Sequence, residues 1–172
     1  MIEKMKTIRL LVLDVDGVMT DGKIIMNDMG REIKNFDVKD GHGIKILMKC
    51  GIDVILLTGR RSAVVEHRAQ DIGIEEVYQG IFNKLEKFEE ILQNKSFNYE
   101  NIAFVGDDIV DIPLLKRVGF SVAVADATED VKKCVDYITK KAGGDGAVRE
   151  VCELILQAQG KWIDVAGRYE FL

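Results

Sequence analysis

LLVLDVDGVMTDG, residues 10–22, sets four consecutive apolar residues directly before a pair of carboxylates. An unbroken apolar run such as Leu10–Leu13 suits a strand buried on both faces of a sheet. Asp14 and Asp16 follow on alternate residues and would share a face only if the backbone stayed extended. Gly17 marks a turn just as the acids emerge. Acids at the carboxyl end of a central strand stand where open α/β sheets bind ligands. The plain alternative is an acidic surface turn, and two Asp immediately behind a buried strand argue against it.

Outward from this stretch, short apolar runs alternate with amphipathic segments. The first strand is predicted over Ile8–Leu13, and a short hairpin over Lys23–Asn27 and Glu32–Phe36 around Asp28-Met29-Gly30. A helix is expected over Gly43–Lys49, a second buried strand over Asp53–Leu57, and a helix behind Ser62 as candidate N-cap. Further strands are read at Val77-Tyr78, Ile102–Val105, Phe120–Val124 and Tyr137-Ile138. Helices are read at Lys84–Gln93, around Pro113 in a first turn, and over Gly146–Gln159. Alternating strands and helices imply an α/β, Rossmann-like, doubly wound and mostly parallel sheet. Ala142–Ala147 reads as a glycine-rich loop. Residues 1–160 form the expected domain, and residues 161–172 a tail whose Trp162, Tyr169 and Phe171 show no helical period.

The chain has 172 residues, 47% of them hydrophobic and 31% charged, which fits one domain with a sizeable core. A net charge of −5 argues against nucleic acid as partner, while a local basic group can still receive a small anion. No apolar run has the length of a membrane span, and residues 1–9 hold no apolar core of a signal peptide. Cys50, Cys134 and Cys152 are odd in number and lack C-x-x-C spacing, so a reduced, cytoplasmic protein with three buried thiols is expected.

The polar residues fall at strand ends: Asp14 and Asp16 after the first strand, Thr58 after the second, and Asp107, Asp108 and Asp111 after a later one. Lys84 opens a helix. In a parallel sheet these ends point the same way, so distant residues converge on one edge. Crowded carboxylates repel one another unless a cation sits among them, and oxygen ligands favour a hard ion such as Mg²⁺. A hydroxyl and an ammonium beside them make a receptor for phosphoryl oxygens.

D-V-D-G-V-x-T-D (14–21), T-G-R (58–60), the separate Lys84 and G-D-D-x-x-D (106–111) resemble the four motifs of the haloacid dehalogenase superfamily, in order. The length leaves no room for a cap domain. FDVKDGHGI (36–44) and AGGDGAVREVCELILQAQGKW (142–162) are similar to the small capless phosphatases of 3-deoxy-D-manno-octulosonate 8-phosphate. Asp37 and Asp145 depart from that group's pattern, which more often has Asn and Arg there.

The resemblance implies that Asp14 is the nucleophile and Asp16 the acid and base, with Thr58 and Lys84 on the phosphoryl oxygens. It implies Mg²⁺ held by Asp14, Asp16 (through its carbonyl) and Asp107. The implied substrate is a sugar acid phosphate of lipopolysaccharide synthesis, bound by Asp16, Asp37, Val38, Lys39, Asp40, Gly41, Arg60, Arg68 and Lys84. A homotetramer is implied as well, its subunits covering each other's sites with the hairpin and tail. His42 and His67 are read as positional or exposed. Two rivals share the pattern: a phosphatase of a nine-carbon sialic-type 9-phosphate, and a phospho-accepting receiver domain. Receivers, however, phosphorylate an Asp after the third strand.

Overall fold

In the computed structural model, which describes residues 1–170, Leu10–Leu13 forms β1 with all four residues buried. A short helix α1 (Ile2–Lys6) precedes it, and the hairpin strands β2 (Ile25–Met26) and β3 (Glu32–Ile33) follow. Next come α2 (Val38–Lys49), β4 (Asp53–Thr58), α3 (Ala63–Ile72), β5 (Glu76–Gln79), α4 (Lys84–Gln93) and β6 (Ile102–Gly106). The chain ends with α5 (Ile112–Leu115), β7 (Phe120–Ala123), α6 (Glu129–Lys132), β8 (Tyr137–Ile138), α7 (Ala147–Ala158) and α8 (Trp162–Arg168).

Six strands pair in parallel in the order β5-β4-β1-β6-β7-β8, the doubly wound Rossmann-like sheet the alternation predicts. From β1 the chain winds outward through β4 to β5, then crosses to β6 on the other side of β1. The direction of winding therefore reverses between β1 and β6, and a crevice opens at such a reversal. Register does the rest. Leu13 lies level with Leu56 and Val105, and the Asp14 amide donates to the Val105 carbonyl at 3.1 Å. The residues after β1 and β6 thus emerge side by side.

Three local expectations are corrected. Helix α2 starts at Val38, not Gly43, because the Asp37 side chain accepts from the amides of Lys39 (2.6 Å) and Asp40 (3.1 Å) and caps it. Gly43 inside that helix is a packing residue: a Cβ there would lie 2.9 Å from Arg149 Cδ on α7. The hairpin strands are two residues each, shorter than read, with the turn set by Asn27 Oδ1 accepting from the Met29 and Arg31 amides. Of the cysteines only Cys152 is buried; Cys50 and Cys134 are half-buried, and all three are free. Among the described residues no helix is long and apolar enough to cross a membrane.

The tail is a further correction. Residues 162–168 are helical, and Val165 and Ala166 are buried. Trp162, Val165, Ala166 and Tyr169 do repeat at helical spacing; the break at Gly160, with φ of 70°, hides that the first three continue the core face, while Tyr169 is exposed. Lys161 Nζ donates to the Cys50 carbonyl at 2.9 Å, tying the start of α8 to the end of α2. Phe171 lies outside the described residues. Removing residues 161–172 should therefore cost about 2–3 kcal/mol of stability and lower the melting midpoint by several degrees. A circular dichroism melt that does not move would show that α8 adds nothing to the core.

Candidate active site

Asp14 follows β1 directly, and its Oδ1 accepts from the Val15 amide at 2.7 Å, which fixes the carboxylate. Its Oδ2 meets Lys84 Nζ at 2.8 Å. Lys84 is the first residue of α4 and is buried; Asn83 caps the helix behind it. A buried ammonium needs full pairing, and Asp111 completes it at 2.6 Å. Asp111 is itself fully buried, and its other oxygen accepts from the amides of Asp107 (3.0 Å) and Asp108 (3.4 Å). It holds the turn after β6 in shape. Gly17, at φ 88°, lies so close to Asp107 that a side chain there would strike the carboxylate. The Gly144 amide donates to the Val18 carbonyl at 3.0 Å, so the glycine-rich loop braces the turn from behind.

Asp14, Asp107 and Asp111 each offer an oxygen within 4.8 Å of the others. Burial, then repulsion from Asp14 and Asp111, pushes the Asp107 carboxyl up to about 8. Burial also lifts Asp14 to about 6, against the pull of Lys84. Burial by itself would lower Lys84, but the two carboxylates beside it raise it above the ordinary lysine range. Asp107 Oδ1 is buried with no hydrogen-bond partner among the described residues. An unpartnered carboxylate oxygen in an acid cluster has the donor set of a hard divalent cation. Asp14 and Asp111 both pair with Lys84, and of the three acids Asp107 has the buried oxygen left without a partner.

A cleft of about 340 Å³ opens over this group, lined by Asp14, Asp16, Thr58, Arg60, Lys84 and Asp107 among others. Thr58 ends β4 and is buried. The loop carrying Ile81 and Phe82 is pinned to it, since the Ile81 amide donates to the Thr58 carbonyl at 3.1 Å. Asp16 sits at the mouth, paired with Lys34 of the hairpin and approached by Arg60 Nε at 3.6 Å. Lys34 and nearby Glu32 escape a sequence reading, because Glu32 lies on a two-residue strand and Lys34 just beyond it, too short a stretch to carry a periodicity.

The remaining predicted binding residues do not line this cleft. Asp37 caps α2. Asp40 is buried and its Oδ1 accepts from the Arg149 amide at 2.7 Å, giving α7 the cap that Gly146 cannot supply. Burial lifts the Asp40 carboxyl to about 6. Arg68 donates to the Asp37 carbonyl (3.2 Å) and to Asp71 (2.7 Å), and its guanidinium lies 5.6 Å from the Phe36 ring centroid. Val38, Gly41 and Arg68 border one hollow; Asp37 and Lys39 border another with Tyr137 and Arg149. His42 is exposed, with Nε2 3.0 Å from the Tyr169 hydroxyl, and His67 is exposed on α3.

The profile of haloacid dehalogenase-like hydrolases matches residues 71–151. The chain is 48% identical over 167 residues to the 3-deoxy-D-manno-octulosonate 8-phosphate phosphatase KdsC of Escherichia coli (strain K12), covering 97% of this chain and 89% of that one. The crystal structure of a phosphatase of the same name from Moraxella catarrhalis, in complex with magnesium ion, phosphate ion and KDO, is similar with a TM-score of 0.96. It is 40% identical, covering 98% of this chain and 97% of that one. The cobalt-bound deoxy-D-mannose-octulosonate 8-phosphate phosphatase of Haemophilus influenzae matches with a TM-score of 0.88 and 42% identity, covering 92% of each chain.

Proposed function

The chain belongs to the haloacid dehalogenase-like hydrolases, among the 3-deoxy-D-manno-octulosonate 8-phosphate phosphatases, and on that premise we propose that it hydrolyses this phosphate monoester to the free sugar acid and inorganic phosphate. One observation carries the reading. Asp14, Lys84 and Asp107 meet at the carboxyl ends of β1 and β6 in a chain nearly half identical to such an enzyme.

In this reading an Asp14 carboxylate oxygen attacks phosphorus in line with the leaving sugar oxygen. The bond from phosphorus to that oxygen breaks, and an aspartyl phosphate forms. Asp16 gives a proton to the leaving oxygen, then takes one from the water that attacks the aspartyl phosphate and frees Asp14. Thr58 and Lys84 hold the phosphoryl oxygens, and Asp111 keeps Lys84 in place. Mg²⁺, held by Asp14 and Asp107 and by the Asp16 carbonyl, supplies positive charge between nucleophile and phosphate. The buried, unpartnered oxygen of Asp107 supports that assignment.

Arg60 stands at the mouth to take the sugar's carboxylate in its planar fork. Asp37, Val38, Lys39, Gly41 and Arg68 border other surfaces of the same chain, with Asp40 buried beneath them, so any contact they make with substrate falls in a neighbouring subunit's cleft. A homotetramer provides that neighbour. Ile25, Met26, Met29 and Ile33 on the hairpin are exposed, as a surface awaiting a partner would be. The cytoplasm, where sugar acid phosphates are made and consumed, is the compartment this activity requires.

The test is phosphate release with Mg²⁺ over sugar acid phosphates, glucose 6-phosphate and p-nitrophenyl phosphate. The expected result is a kcat/KM on 3-deoxy-D-manno-octulosonate 8-phosphate at least about tenfold above the rest. A preference for the nine-carbon 9-phosphate moves the assignment to that sugar, and a single phosphorylation without turnover makes the chain a receiver. Light scattering tests the assembly: a particle near the 19.3 kDa of one chain rejects the tetramer.

A further inference from the structure

The Lys34 side chain is 1% exposed, although Ile33 and Asn35 on either side are exposed. Burying an ammonium is costly unless it is paired. Its partners are Asp16 Oδ1 and, at 3.2 Å, Glu32 Oε1. The same Glu32 oxygen accepts from Arg60 Nη2 at 3.0 Å, and Arg60 Nε approaches the other Asp16 oxygen, Oδ2, at 3.6 Å. Glu32 on β3 and Lys34 just beyond it are two residues apart on an extended segment and both turn toward Asp16 and Arg60 at the mouth of the cleft. Ile33 pairs with Ile25 and is exposed on the other face. The hairpin thus presents a charged inner face whose buried member is bonded to Asp16.

We propose that Lys34 is a positioning residue for Asp16: by occupying Oδ1 it turns Oδ2 into the cleft as the oxygen that exchanges a proton with the leaving sugar oxygen. The inference rests on reading Asp16 as the acid and base of the phosphatase reaction. It differs from a purely structural role in which substrates it affects. A sugar alkoxide leaves poorly without a proton, whereas p-nitrophenolate leaves readily with none, so in the step that forms the aspartyl phosphate a misplaced Asp16 burdens the sugar phosphate selectively, while hydrolysis of that common intermediate slows alike for both. A loosened hairpin would burden both alike.

The experiment compares the single-turnover rate of leaving-group release from 3-deoxy-D-manno-octulosonate 8-phosphate with that from p-nitrophenyl phosphate, using the full chain in excess with Mg²⁺, so that only formation of the aspartyl phosphate is read. Lys34→Met should lower the ratio of the two by about 10–100-fold, the range that positioned proton transfer contributes. Lys34→Arg, which keeps a cation beside Asp16, should recover part of that ratio. Lys34→Gln, neutral but still able to donate to Asp16, should lower the ratio less than Lys34→Met does. Asp16→Asn, run in parallel, should drop the same ratio at least as far. If Asp16→Asn lowers the ratio while neither Lys34→Met nor Lys34→Gln does, Lys34 only fastens the hairpin: the inference is overturned and the phosphatase reading stands. If Asp16→Asn itself leaves the ratio unchanged, the acid and base assignment falls and this inference with it.

Discussion

Asp14→Asn should yield a folded protein whose phosphate-release rate is lower by at least about four orders of magnitude, as when a nucleophile is removed from other enzymes. The amide is a poor nucleophile, and nothing else on the cleft stands where Asp14 does, directly behind β1 and bonded to Lys84 at 2.8 Å. The fold should survive, because Asp111 still pairs with Lys84 at 2.6 Å and the substitution conserves volume. It does cost something. Asp14 Oδ1 accepts from the Val15 amide and Oδ2 faces Lys84, so an Asn amino group in either place meets a donor and loses one buried hydrogen bond. That is worth about 1–3 kcal/mol, partly offset because one carboxylate leaves an acidic cluster. Phosphate release together with a melting curve checks both halves. Turnover above about a hundredth of the parental rate would remove Asp14 from the nucleophile's place.

Asp14, Asp16, Thr58 and Asp107 are legible in the sequence because each ends or follows a strand of one parallel sheet, and topology alone sends those ends to one edge. The register that sets Leu13 level with Val105 is not legible, since it depends on how the layers pack. Asp37–Gly41 enters as a binding segment through the family resemblance and not through any local pattern. In the fold Asp37 and Asp40 are helix caps, one for α2 and one for α7 across the interface, and no local pattern announces the second. Glycines 41 and 43 disguise the start of α2 because their low helix propensity is outweighed by close packing against α7 and Arg68. Lys34 is hidden for another reason. Its partner Asp16 lies 18 residues back, and only the turn of the hairpin brings the two together.

Asp107→Asn should trade activity for stability in the metal-free protein. The folded Asp107 carboxyl stands at about 8, against an ordinary value of 3.8, chiefly through burial and then through Asp14 and Asp111. Between those two values the folded chain holds a proton the unfolded chain has released. Unfolding free energy therefore falls as pH rises from about 4 to about 8, and the penalty stays constant above that. An amide carries no charge to repel, so the melting midpoint of Asp107→Asn in EDTA should exceed the parent's by an amount that grows over this window. The same proton competes with the cation. Binding Mg²⁺ must displace it, so apparent affinity should rise by nearly tenfold per pH unit from pH 6 toward 8. Added Mg²⁺ should then raise the parental midpoint and do so more at pH 8 than at pH 6, while leaving Asp107→Asn unmoved and without phosphatase activity. Chelation should abolish parental turnover and Mg²⁺ restore it. Two results would break this account: full turnover in excess EDTA, or an Asp107→Asn protein that Mg²⁺ stabilises as strongly as the parent. Either would mean that the acids at the ends of β1 and β6 gather for some reason other than a cation.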